Sequence, residues 1–70
     1  MIVEVFKTNV YKESQKEDVM AIIQTKFPDY KINFDLEDCD KILRVEGKDL
    51  KCEPIMDYVH CLGFTCVRLE

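Results

Sequence analysis

The sequence predicts an α+β fold, a βαββαβ chain whose four strands form one antiparallel sheet with two helices on one face. Three observations carry this. Six segments rich in apolar residues follow one another in the order strand, helix, strand, strand, helix, strand. Each helical segment carries a single apolar stripe, which it can bury only on a sheet. The second and third strands are separated by a short acidic turn, which joins them as a hairpin.

Residues 2–7 (IVEVFK) are β-branched and aromatic and read as a strand. A polar loop spans residues 8–13. Ser14 followed by Glu17 has the spacing of a capping box, in which hydroxyl and carboxylate satisfy free amides of a helix start. Val19, Ile22, Ile23 and Phe27 then line one helical face, and Pro28 stops the helix. Residues 30–36 alternate, with Ile32, Phe34 and Leu36 on one side and Asn33 and Asp35 on the other. After the turn, residues 41–46 form a third strand with Leu43 and Val45 inward. A second helix begins near Cys52, tolerates Pro54 in its first turn, and buries Ile55, Val59 and Leu62. Gly63 fits the left-handed position that ends helices, and residues 64–69 make the last strand. Right-handed crossovers and the hairpin then favour the ferredoxin-like sheet order 4-1-3-2. The 70 residues make a single domain, 1–70.

Composition narrows the function. The chain is 47% hydrophobic and 34% charged, the mix of a globular protein. Its net charge of −4, with the ten basic residues scattered, disfavours nucleic acid and anionic lipid. No apolar run is long enough for membrane insertion. No basic start precedes an apolar stretch, so cytoplasmic localisation is expected, with the four cysteines as reduced thiols.

The hairpin segment INFDL (residues 32–36) with its acidic turn, and the closing IMDYVHCLGF (residues 55–64), resemble heavy-metal-associated domains. In that family a helix ends in Leu-Gly followed by an aromatic residue and the final strand. The resemblance covers nearly the whole chain and implies the same fold. It also implies a metal loop, Gly-Met-x-Cys-x-x-Cys, between the first strand and first helix, where two thiolates hold soft ions such as Cu(I). Here that stretch reads TNVYKES (residues 8–14), and by spacing Tyr11 and Ser14 stand where the cysteines would be. Neither side chain is a Cu(I) ligand, so these are degenerate metal-loop positions and copper-chaperone activity does not carry over.

The other candidate chemistry is thin. Cys61 and Cys66 flank the turn at Gly63 and, with His60 and Cys39 at the same end, are the candidates for a substitute Cu(I) or Zn²⁺ site. Against this, His60 and Cys61 diverge by about 100° on a helix, small thiols serve as apolar filler, and a histidine in a last turn often meets terminal carbonyls. Cys39 lies in an exposed turn. Cys52 lies near a helix start, where its thiol is expected to be somewhat acidic. Asp35, Glu37, Asp38 and Asp40 crowd the hairpin turn without the spacing of a Ca²⁺ loop and read as a solvated turn. The third strand has no aromatics for stacking RNA bases, and the first loop has no glycine cradle or arginine for phosphate chemistry. A single histidine without supporting spacing makes no catalytic triad. Strand alternation is expected to put Ile2, Glu4, Phe6, Ile42, Arg44 and Arg68 together on the open sheet face, a mixed apolar and ionic interaction surface. The chain therefore reads as a non-enzymatic binding module, without cofactor, whose partner is another protein or a second copy forming a homodimer. Strands two and four are its sheet edges. The alternative is a divergent soft-metal binder using Cys61 and Cys66.

Overall fold

The computed structural model describes residues 1–37 and 39–69. Its elements are β1 (Ile2–Thr8), α1 (Glu13–Lys26), β2 (Lys31–Asp35), β3 (Ile42–Gly47), α2 (Cys52–Cys61) and β4 (Cys66–Leu69). All neighbouring strands pair antiparallel, in the order β2-β3-β1-β4. This is the ferredoxin-like α+β arrangement. The acidic-turn residue Asp38 lies outside the described residues.

The core sits between the sheet and the helices. Phe6, Leu43 and Val45 from the sheet meet Val19 and Ile23 from α1 and Ile55 and Val59 from α2, all fully buried. The helix stripes are the ones the periodicity predicts, with Ile22, Phe27 and Leu62 half-buried at their margins. Helix α2 closes as expected. Gly63 has φ 92°, its N–H donates to the His60 carbonyl at 2.9 Å, and the Phe64 N–H donates to the Val59 carbonyl at 3.2 Å. Those two bonds satisfy the last carbonyls of the helix. The other glycine, Gly47, is required by crowding: a Cβ there would lie 2.5 Å from the Tyr30 ring, which stacks on Phe27 at 5.1 Å.

Helix α1 starts differently from expectation. Lys12 occupies the cap position, and the Gln15 side chain accepts from the N–H groups of Lys12 (3.1 Å) and Tyr11 (3.2 Å). Ser14 is exposed inside the first turn. Gln15 is the residue that reaches back three positions, so the helix begins ahead of the serine.

The phasing of β1 and β4 is opposite to the expected one. Directly paired residues share a face. Phe6 pairs with Leu43 and with Arg68, and Phe6 and Leu43 are both fully buried, so Phe6 and Arg68 belong to the helix-covered face. Ile2 and Glu4 share that parity. Of the six residues expected on the open face, only Ile42 and Arg44 are there. Strand β1 is apolar at both parities, so its pattern does not say which set faces the helices. Glu4 is accommodated on the covered side because it pairs with Arg68, Oε2 to Nε at 2.7 Å, near the start of α2.

Candidate interaction surface

The loop between β1 and α1 is fastened by its own side chains. Thr8 is buried. Its hydroxyl donates to the Lys41 carbonyl at 2.7 Å and accepts from the Val10 N–H at 3.3 Å. Asn9 Oδ1 accepts the Thr65 N–H at 2.8 Å, which ties the loop to the turn before β4. Val10 is fully buried in the core. On the hairpin side, Lys41 adopts φ 49° and its ammonium donates to the Leu36 carbonyl at 2.8 Å. Tyr11 stands outward, 61% exposed, with the Lys12 ammonium 5.5 Å from its ring centroid. Tyr11 and Ser14 are both exposed and bring only a phenol and a hydroxyl. The donor set in this loop does not fit the soft ion that the family resemblance implies.

The thiol of Cys66 lies near that of Cys52 rather than forming a site with Cys61. Cys66 packs in the core at 2% exposure, and burial pushes its thiol up to about 12. Cys61 and Cys39 are exposed. The His60 ring turns its Nε2 to the Cys66 carbonyl oxygen at 3.2 Å, so imidazole meets backbone rather than sulfur. The four residues proposed from sequence as a substitute site therefore do not offer a common set of ligands. Among the described residues, no three His, Cys, Asp or Glu side chains group where they could hold an ion. Cys52 departs from expectation in the other direction: its thiol is raised, first by burial and then by a hydrogen bond to the Glu4 carboxylate and that group's charge. Burial, with the neighbouring carboxylate behind it, makes the thiol less acidic rather than more, against the expectation from the helix start.

The open face of the sheet carries what the sequence reading missed. Val3 (44% exposed), Val67 (57%) and Leu69 (36%) stand on it, with half-buried Val5 beside Leu69 and half-buried Ile42 on β3. The register joins them: Val5 pairs with Leu69, and Lys7 pairs with both Val67 and Ile42. The apolar patch thus runs across β1 and β4, while Ile42 on β3 is separated from Val67 by Lys7 and lies diagonal to Val5. Charges on this side neutralise one another, Arg44 with Glu46 at 3.4 Å and Lys7 with Asp40 at 3.6 Å. Strand β2 adds only polar groups, Lys31, Asn33 and Asp35. The signal was present in the sequence as the shared parity of Val3 and Val5. It becomes legible once Phe6 is known to be core.

Among the described residues, no helix is long and apolar enough to cross a membrane. Comparison with protein-family models, curated proteins and solved structures finds no match to this chain, so its assignment rests on the geometry of this surface.

Proposed function

We propose that this chain is a non-enzymatic protein-interaction module, a heavy-metal-associated type of scaffold whose metal loop has become a self-fastened one, and that it docks a protein on the open sheet face. The observation that carries the reading is the apolar patch of Val3, Val5, Val67 and Leu69, with Ile42 diagonal to Val5, which the helices leave uncovered. Contiguous exposed apolar surface of this kind marks interaction sites. The ion pairs beside it leave little uncompensated charge to desolvate when a partner covers them.

Further features support it. The loop's polar groups are used within the chain, through Thr8 and Asn9. The Nε2 of the single histidine meets the Cys66 backbone carbonyl rather than a thiol. Four thiols with no disulfide between them suit a reducing, cytoplasmic setting, and the net charge of −4 favours a protein partner over nucleic acid. The soft-metal reading through Cys61 and Cys66 is the weaker one, because Cys66 is buried and its thiol is held protonated.

The test is affinity capture with the metal-free protein, compared with Val3→Lys on the open face and Glu17→Lys on the helix layer. A partner held by the native chain and by Glu17→Lys, but lost with Val3→Lys, supports the reading. Capture that ignores Val3→Lys contradicts it. So does sub-micromolar Cu(I) or Zn²⁺ binding that is lost in Cys61→Ser.

A further inference from the structure

Resting on that reading of the open face, we infer that its occupant is a second copy of this chain, packed face to face about a two-fold axis. The register places Asn33, Arg44, Val5 and Leu69 side by side in one row across all four strands. A two-fold axis lying between the sheets and along that row sets each strand over its own copy, running in the opposite direction. Val5 then meets Val5 and Leu69 meets Leu69 of the second copy, while Val3 lies over the stem of Lys7 from the row on the other side of the axis.

The flanking rows show why a copy of this chain suits the face. On β2 the open-face sequence is Lys31, Asn33, Asp35, with opposite charges equidistant from the axis row. The two-fold sets each Lys31 over an Asp35 and each Asp35 over a Lys31. On the neighbouring strands, Lys7 and Glu46 also lie on opposite sides of the axis row, which brings each near the other's counterpart. Arg44 meets Arg44, and each copy brings its own Glu46 partner. The exposed acidic residues Glu13, Glu17, Asp18, Glu53 and Asp57 lie on the helices. Face-to-face packing keeps those layers farthest apart, which lets a chain of net charge −4 pair with itself.

Size sets the strength. Strands of this length at ~3.4 Å per residue and ~4.8 Å spacing give a face on the order of 400 Å² of sheet plane. Stable interfaces bury ~800 Å² per partner, so the dimer is weak and concentration-dependent.

Sedimentation or light scattering on the full chain reads this out. The mass should rise with concentration from 8.3 kDa toward twice that value. Val5→Lys should abolish the rise while circular dichroism stays native. Lys31→Glu alone and Asp35→Lys alone should each weaken the dimer by about tenfold, as like charges replace paired ones. The double exchange Lys31→Glu/Asp35→Lys should restore it. A strict monomer at every concentration overturns the inference, as does a dimer insensitive to Val5→Lys or a double exchange that restores nothing. A monomer that still captures a foreign protein, lost with Val3→Lys, would overturn the dimer alone and leave the docking role of the face standing.

Discussion

Replacing Thr8 by valine removes one hydroxyl and keeps the shape of the side chain. That hydroxyl makes two hydrogen bonds, to the Lys41 carbonyl at 2.7 Å and from the Val10 N–H at 3.3 Å. Each is worth ~0.5–1.5 kcal/mol net, and an amide left buried without a partner costs ~1–3 kcal/mol. Val10 is fully buried, so its N–H is the group left stranded, whereas Lys41 is half-buried and its carbonyl is nearer to solvent. The sum is about 2 kcal/mol. A chain of 70 residues holds roughly 4–10 kcal/mol in total, so the loss is a large share of its stability. At ~4–8 °C per kcal/mol for a domain of this size, Tm should fall by about 10 °C. Thermal melts of the metal-free protein, followed by circular dichroism and repeated in urea, measure it. An unchanged Tm would refute the claim that this loop is held by its own side chains. So would a native Tm that appears only when Cu(I) or Zn²⁺ is added.

Phe6→Ala should cost ~3–5 kcal/mol, while Val3→Ala on the other side of the same strand should cost well under 1 kcal/mol; urea titrations compare them, and equal losses would reverse the assigned phasing. Gly47→Ala should destabilise by ~1–3 kcal/mol, because the new Cβ meets the Tyr30 ring at 2.5 Å, and Tyr30→Ala in the same chain should recover part of that loss. The Cys66 thiol stays protonated up to about 12 when folded, against 9.0 as the ordinary value, so stability is intact below 9.0. It should then fall as pH rises from 9.0 toward 12, by up to ~1.4 kcal/mol per pH unit, because the unfolded chain ionises first. Urea titrations across that range should show the decline flattened in Cys66→Ala, and a slope unchanged by the substitution would contradict the assignment. At neutral pH a thiol reagent should modify the exposed Cys39 and Cys61 first and reach Cys66 only on unfolding, as mass spectrometry can count.

The architecture was legible because the helices state their faces unambiguously. Val19 and Ile23, like Ile55 and Val59, recur at helical spacing with charged residues opposite. Gly63 announced the end of α2 for a reason specific to its backbone angle. The hairpin's alternation fixed Ile32 and Phe34 inward, and Leu43 and Val45 followed by register. The site was harder. In β1 both parities are apolar, and the charge of Glu4 suggested the solvent side. Its partners Arg68 and Cys52 come from elements far along the chain, so nothing local reveals that a carboxylate is accommodated beneath the sheet. The same holds for the loop. Thr8, Asn9 and Val10 look like ordinary polar linker until Lys41 and Thr65 are brought beside them. Gln15 caps α1 from a position that the more familiar Ser14 and Glu17 pattern obscured.

The most direct measurement is the backbone amide spectrum of the isotopically labelled, metal-free chain recorded from dilute to concentrated solution. Pairing of two copies through the open face predicts shifts confined to the row of Asn33, Arg44, Val5 and Leu69 and its neighbours, with Thr8, Tyr11 and Ser14 unmoved. Shifts gathered at the Tyr11 and Ser14 loop or around Cys61, with the sheet face silent, would contradict it.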